Sequence, residues 1–139
     1  MEYNLGYRSD VAFTVYGDKE KLKQLKEEID NQIGNFPADM ADELTELFKS
    51  SVSETDRPIW NDDGEFFFFA SHVKWYEGYP CVDFIEGMYK YAKDIGGLVG
   101  ERVCVGEELD DNSFDYFDDE DNEIECEHRL SISRSIDYW

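Results

Sequence analysis

The period of the hydrophobic pattern changes along the chain, and its first two segments show both periods. Val11–Gly17 is rich in β-branched and aromatic residues and predicts a strand that ends at a Gly-Asp turn. Between Leu22 and Ile33 aliphatic residues recur at helical spacing, which predicts an amphipathic helix with Asp18 as its N-cap. Gly34–Asn35 closes this helix.

Two further segments have the helical period. Residues 38–52 carry an apolar stripe and predict a second, short helix. Residues 81–95, entered through Pro80, predict a third helix that stops at Gly96–Gly97. The polar stretch 53–64 between the second helix and the next strand predicts an irregular connection.

Three further segments predict strands. Glu65–Tyr76 is the longest, Leu98–Val105 is the next, and Cys126–Tyr138 alternates cleanly, so that only one of its faces would be buried. Within the first of these, one face would carry Phe67, Phe69, Val73 and Trp75, and the other Phe66, Phe68, Ala70, His72 and Lys74.

The order strand, helix, helix, strand, helix, strand, strand predicts an α+β fold. We expect a mainly antiparallel four-stranded sheet with two to three helices packed on one face. The last two strands would form a long hairpin through the segment that joins them. Residues 1–139 are expected to form a single domain, because neither a repeat nor a linker divides a chain of this length.

Composition gives this fold an acidic surface. The chain has 34 Asp and Glu against 13 Lys and Arg, a formal net charge of −21. Ten Phe, nine Tyr and three Trp supply the apolar area of a core, so the chain is expected to fold despite its charge. A surface of this sign repels phosphate, which argues against direct binding to nucleic acid or anionic lipid and leaves basic proteins and multivalent cations open.

Cysteine usage and hydropathy predict a cytoplasmic protein. Cys81, Cys104 and Cys126 are odd in number and widely spaced, which favours reduced, buried thiols. The sequence shows neither a signal-peptide pattern nor an apolar run long enough to span a membrane, so no membrane partner is expected.

More than half of the net charge lies in residues 107–127, which hold twelve carboxylates and neither Lys nor Arg. As a hairpin this acidic run would reach about 35 Å, close to one turn of B-DNA at about 34 Å. Its carboxylates would then imitate phosphates, with Glu101 adding to them if it lay nearby. The candidate partner-binding residues are Asp110, Asp111, Asp115, Tyr116, Asp118, Asp119, Glu120, Asp121, Glu123 and Glu125.

The alternative is a mobile, solvated loop that aids solubility, as charge runs usually are. Apolar residues such as Leu109, Phe114 and Ile124 lie among the carboxylates and favour an ordered ribbon. Calcium is not predicted, because residues 119–123 lack the glycine of an EF-hand loop. We expect neither a metal site nor a cofactor.

A second candidate surface follows the long strand, where amphipathic side chains are concentrated. Its members are Lys74, Trp75, Tyr76, Glu77 and Tyr79. The same residues could instead form a structural corner that covers the core. Cys126 and His128 could be neighbours on one strand, but a catalytic pair would need supporting groups that the sequence does not supply, so no catalytic residue is predicted.

Two segments, GYRSDVAFTV near the start and HVKWYEGYPCVDF in the middle, resemble a family of small, largely uncharacterised bacteriophage proteins. Members of this family have a GYRSDV-like and a KWYxxYPxV-like segment. The resemblance implies a phage origin, action in the host cytoplasm and a role in contact with host machinery, and it assigns no chemistry to particular residues.

The sequence thus favours an inhibitory binding protein over an enzyme. Its acidic, nucleic-acid-mimicking surface would occupy a basic groove of a host defence or nucleic-acid enzyme, as anti-CRISPR or anti-restriction proteins do. The alternative is a small nucleotide-binding protein or enzyme that uses the sheet face around His72, Lys74 and Trp75, with Lys74 and Arg102 contacting phosphate. A homo-oligomeric accessory phage protein is a third hypothesis, and the sequence leaves the oligomeric state open.

Overall fold

Five strands form an antiparallel sheet in the order β2-β3-β1-β4-β5, with helices against one face. The structure is a computed structural model that describes residues 7–62, 64–108, 111–119, 123–132 and 136–138. Its elements are β1 (Ser9–Gly17), α1 (Lys19–Gly34), α2 (Ala38–Thr55), β2 (Trp60–Asn61), β3 (Glu65–Val73), α3 (Pro80–Ile95), β4 (Leu98–Gly106), β5 (Asn112–Phe117), β6 (Leu130–Ile132) and β7 (Ile136–Tyr138).

The predicted α+β class is confirmed, and the main sheet has one strand more than the four expected. Local signals set the ends of α1 and α3 as predicted, whereas α2 continues to Thr55, three residues beyond the predicted end. The Asp18 carboxylate accepts hydrogen bonds from the amides of Glu20 and Lys21 at 2.9 and 3.1 Å, which satisfies two unpaired donors at the start of α1. Helix α3 begins at Pro80 and is followed by Gly96, whose φ of 74° suits glycine.

The centre of the sheet is buried on both faces. Alternate residues of β1, such as Phe13 and Val15, pack against the helices. Their neighbours face the other way, where Ala12 lies in a second cluster with Phe67 and Val103. This second face is covered by a two-stranded sheet of β6 and β7, so the main sheet lies between a helical layer and a small β layer.

The prediction of one strand over Cys126–Tyr138 is wrong, although its apolar face is right. The segment forms the hairpin β6–β7, in which Leu130 pairs with Tyr138 and Ile132 with Ile136. Paired residues of neighbouring strands project to the same face. A hairpin therefore keeps the same alternation as a straight strand, and periodicity alone could not separate the two.

The prediction for the end of the long strand is also wrong, because β3 stops at Val73. His72 has a φ of 55°, and its amide donates to the Asp10 carboxylate at 2.8 Å. This left-handed residue interrupts the alternation of the strand. Val73 and Trp75 consequently pack on the helical side with Phe68, and not with Phe67 as the pattern suggested.

The acidic run does not form a long arm between the last two strands. Its central part is β5, which pairs antiparallel with β4 from Val105 opposite Asn112 to Gly100 opposite Phe117. The hairpin β4–β5 is therefore closed by a short connection, and the run continues beyond β5 to the small β layer.

A buried carboxylate holds this last part of the chain on the sheet. Glu101 of β4 is fully buried and accepts three hydrogen bonds. One comes from the Tyr16 hydroxyl at 2.6 Å, and the other two come from the amides of Arg129 and Leu130, each at 3.0 Å. Such bonds offset the cost of removing a carboxylate from water.

We predict that Glu101→Ala lowers the free energy of unfolding by about 3–5 kcal/mol, because two amides and a hydroxyl lose their acceptor in the protein interior. Chemical denaturation measures this change. Glu125→Ala removes an exposed carboxylate and should change the stability by no more than about 0.5 kcal/mol. Equal effects of the two substitutions would contradict the anchoring role of Glu101.

A second prediction concerns the contact between β5 and the core. A Cβ atom at Gly100 would lie 2.9 Å from Cε1 of Tyr89 and closer still to the ring of Phe117. Gly100→Ala should therefore destabilise the protein by about 1–3 kcal/mol through overpacking. Gly87 of α3 has open space around it, so Gly87→Ala should stabilise the protein by about 0.5–1 kcal/mol. Thermal unfolding of both variants tests the two signs.

Candidate functional site

The strand β5 forms one edge of the main sheet, and residues 112–116 are exposed. The amide of Gly106 donates to the carbonyl of Asp111 at 2.7 Å, and the register continues from there without a shift. Because hydrogen-bonded pairs alternate in an antiparallel ladder, the amides and carbonyls of Asn112, Phe114 and Tyr116 face away from β4. Within the described ranges, no other residue bonds to these backbone groups.

The helical side of β5 anchors the strand. Phe117 is buried and packs edge-on against Tyr89, with ring centroids 5.2 Å apart. The Tyr89 hydroxyl donates to the carbonyl of Asp115 at 3.4 Å. Asp115 lies opposite Arg102 in the ladder, so one carboxylate of the edge faces a cation of β4.

The other side of β5 presents aromatic rings to solvent. Phe114 is 38% exposed and Tyr116 is 50% exposed. The ring of His128 lies beside both, with centroid distances of 6.2 Å to Phe114 and 5.6 Å to Tyr116. This exposed aromatic group gives the edge an apolar component among its carboxylates.

A polar cup follows the end of β5. The backbones of Asp119 and Ile124 exchange two hydrogen bonds, of 3.0 and 2.9 Å, which close a turn. The Asp118 carboxylate accepts from the amide of Cys126 and draws the next segment back toward β5. The resulting cup has a volume of about 630 Å³, and its lining is Tyr116, Asp118, Glu123, Ile124, Glu125, Cys126 and His128.

Most of the described candidate residues lie together on β5 and around this cup. We call this surface the acidic edge, and its members are Asp111, Asp115, Tyr116, Asp118, Glu123 and Glu125. The Asp111 carboxylate accepts from the Tyr7 hydroxyl, and this bond raises the pKa of Tyr7. The predicted positions Asp110, Glu120 and Asp121 lie outside the described residues.

Two acidic residues do not contribute to this surface. Asp119, a predicted member, is only 8% exposed, because its backbone bonds with Ile124 hold it inside the turn. Glu101 could have extended the acidic surface only if it lay nearby, and it is buried as the acceptor described above.

Cys126 and His128 are neighbours, as their spacing suggested, with Sγ and Nδ1 3.7 Å apart. Burial raises the pKa of the Cys126 thiol, which keeps it protonated near neutral pH and a weak nucleophile. Among the described residues, no group of three or more His, Cys, Asp or Glu side chains is placed to hold a metal ion.

The second candidate surface is largely structural. Trp75 packs on Phe13, with centroids 6.0 Å apart, and its indole nitrogen donates to Glu86 at 3.0 Å. The Tyr76 hydroxyl donates to the backbone carbonyl of Tyr7 at 2.8 Å. The remaining members are Lys74, which is partly exposed, and Glu77 and Tyr79, which are exposed.

A cleft of about 530 Å³ lies beside Trp75, between α3 and β4. Arg102 on its wall makes a bidentate pair with Glu86, at 2.7 and 2.6 Å, and this pair raises the pKa of Arg102. The guanidinium is therefore already neutralised, and in the rest of the lining the carboxylates of Glu77 and Asp83 outnumber the ammonium of Lys90. Such a lining disfavours phosphate, so Arg102 does not have the free charge that the nucleotide-binding hypothesis needs. The Arg102–Glu86 pair gave no signal in the sequence, because its partners come from separate elements.

Comparison of the chain with protein-family models, with curated proteins and with solved structures finds no match. The resemblance to phage proteins therefore stays a prediction. No helix in the described part of the chain has the length and apolar character needed to cross a membrane.

The burial of Tyr89 beneath β5 predicts an alkaline limit to stability. Burial raises the pKa of Tyr89 well above its usual value of about 10. The folded protein then keeps a proton that the unfolded chain releases, so this contribution to stability is complete below about pH 10 and is lost as the pH rises further.

In Tyr89→Phe the free energy of unfolding should accordingly fall less steeply with pH above about pH 10. The difference between the two slopes should correspond to about one proton. Denaturation curves recorded from pH 8 to pH 11.5 give this slope. Tyr79→Phe, which removes an exposed hydroxyl, is the control and should keep the wild-type slope. An unchanged slope for Tyr89→Phe would contradict the burial of its hydroxyl.

Proposed function

We propose that the chain is an inhibitory binding protein that presents its acidic edge to a basic, nucleic-acid-binding surface of a partner protein. In this proposal the partner is a host defence or nucleic-acid enzyme of the kind that anti-CRISPR or anti-restriction proteins block. The carboxylates stand in for phosphates, and the exposed rings of Phe114 and Tyr116 supply apolar contact next to them.

The observation that carries the proposal is the attachment of the carboxylates to folded elements. Asp115 lies on a strand whose last residue is buried in the core, and Asp118 is bonded to the backbone of Cys126. Charges fixed in this way lose little conformational entropy on binding, whereas those of a loose loop would have to be ordered first. The solubility-loop alternative does not require such attachment.

The range of the electrostatic field also supports the proposal. At physiological salt the Debye length is about 8 Å, so only clustered charges act together. Asp118, Glu123 and Glu125 line one cup and meet this condition. With a formal net charge of −21 on the whole chain, association with a basic partner is expected to be fast and strongly dependent on salt.

The decisive experiment is affinity capture from a bacterial lysate with elution by a salt gradient. We expect a basic nuclease, helicase or CRISPR subunit to elute as salt rises from about 50 to about 500 mM, and duplex DNA to compete for it. A partner that stays bound at the higher salt and in excess DNA would rule out nucleic-acid mimicry.

A charge-neutral variant of the acidic edge sharpens this test. The triple substitution Asp115→Asn, Glu123→Gln, Glu125→Gln removes three exposed charges and keeps side chains of nearly the same shape. We predict that it weakens binding of the captured partner by about tenfold or more. The charged contacts of such a cluster together contribute about 1–3 kcal/mol to the free energy of binding.

The matched control is Glu27→Gln, Asp42→Asn, Glu46→Gln on α1 and α2, which changes the net charge by the same amount. It should leave the affinity within about twofold of the wild type if position matters more than total charge. Equal losses in the two triple variants, measured by calorimetry, would show that the acidic edge is not the binding surface.

A further inference from the structure

We propose that the acidic edge binds an extended, arginine-containing segment of its partner, which adds as an antiparallel strand to the open side of β5. This inference rests on the proposed function and specifies how the basic partner is held. It places the Arg side chains of the segment over the aromatic group and the polar cup.

The outer side of β5 is an open hydrogen-bonding edge. Asn112, Phe114 and Tyr116 each direct an amide and a carbonyl away from β4, and these groups have no partner among the described residues. An edge of this kind is a template for another strand. The strand is also held in place from within by Phe117, so the template is formed before binding.

The direction of the side chains in an added strand follows from the geometry of the ladder. In an antiparallel ladder, the two residues of a hydrogen-bonded pair project to the same face. The partner residues that bond to the backbone of Phe114 and Tyr116 therefore project to the face that carries these two rings and His128. A side chain at such a position lies over the rings and next to the cup with Asp118.

The chemistry of that face suits a guanidinium group. A guanidinium stacks on the flat face of an aromatic ring and pairs with carboxylates through its planar set of donors. Tyr116 offers the ring, and Asp118, Glu123 and Glu125 offer the carboxylates. Arginine at alternate positions of the partner segment matches this arrangement in both spacing and charge.

A second copy of the same chain is a poorer occupant of the edge. Pairing of two β5 strands would bring Asp111, Asp115 and Asp118 of one copy near the same residues of the other. Like charges on paired strands are destabilising, and nothing on the described part of β5 offers compensating cations. A basic segment of another protein is therefore the occupant of the edge in this proposal.

The test uses the whole protein and a short, end-blocked peptide in which Val and Arg alternate. In the proposed complex the amides of the Arg residues face β5, because their side chains lie on the ring-bearing side, and the amides of the Val residues face solvent. Two peptides of equal charge are compared with the parent peptide: one N-methylated at the Arg amides and one at the Val amides.

We expect methylation of the Arg amides to raise the Kd by about tenfold or more, since several backbone hydrogen bonds are lost. Methylation of the Val amides should change the Kd by no more than about twofold. Equal affinity of all three peptides would overturn strand addition, and a continued dependence of that affinity on salt would leave the proposed function standing. Absence of binding by the parent peptide would also overturn strand addition. Salt-sensitive capture of a partner protein would in that case still support the proposed function.

Protein variants give an independent measurement. Phe114→Pro removes an amide that faces the open side and leaves the bonds to β4 in place, whereas Phe114→Ala removes the ring and keeps the amide. Binding of the parent peptide should be several-fold weaker for Phe114→Pro than for Phe114→Ala. Circular dichroism and thermal unfolding check that both variants fold. If one variant does not fold, the methylated peptides still test strand addition on the wild-type protein.

Light scattering tests whether a second copy of the chain occupies the edge. The pure protein is expected to show no dimer that depends on β5. A dimer that disappears in Phe114→Pro and persists in Phe114→Ala would assign the edge to a second copy and would overturn the proposal.

Discussion

The buried carboxylate of Glu101 is the contact on which the acidic edge depends. A negative charge in the interior is tolerated only where donors surround it, and here one hydroxyl and two backbone amides do so. These amides belong to Arg129 and Leu130. Because the Glu101 carboxylate needs these donors, it fixes the path of the backbone after the acidic run. That path brings His128 beside Tyr116 and forms one wall of the polar cup.

Three arginines are engaged in contacts within the fold. Arg102 is paired with Glu86, and Arg129 lies 3.7 Å from the ring centre of Tyr16 while it bonds to Glu65 and Glu127. Arg57 lies over two aromatic rings of the small β layer and its neighbour strand. The excess of negative charge itself follows from composition, with 34 Asp and Glu against 13 Lys and Arg. Because these three arginines are engaged in packing, they do little to offset it.

The acidic run shows why an edge strand is hard to recognise from its residues. Asp, Asn and Ser have low strand propensity, and an edge strand that faces water tolerates them because charge there also discourages unwanted pairing. The alternation of Ser113 and Asp115 with Phe114 and Tyr116 was a usable signal, yet the density of carboxylates made the segment look like a connection. Pairing with β4 depends on the fit of Phe117 over Gly100, which is a property of two segments together.

The sequence by itself determined the α+β class, the three helices with their buried stripes, the Asp18 cap, and the concentration of charge in residues 107–127. These follow from local periodicity, capping and composition, which each segment carries alone. Only the tertiary structure decided that Cys126–Tyr138 folds back as a hairpin, that Glu101 is buried, and that part of the acidic run becomes a strand with an open edge. Those outcomes depend on which segments pair across the sheet. The residue pattern of one segment does not specify the segment with which it pairs.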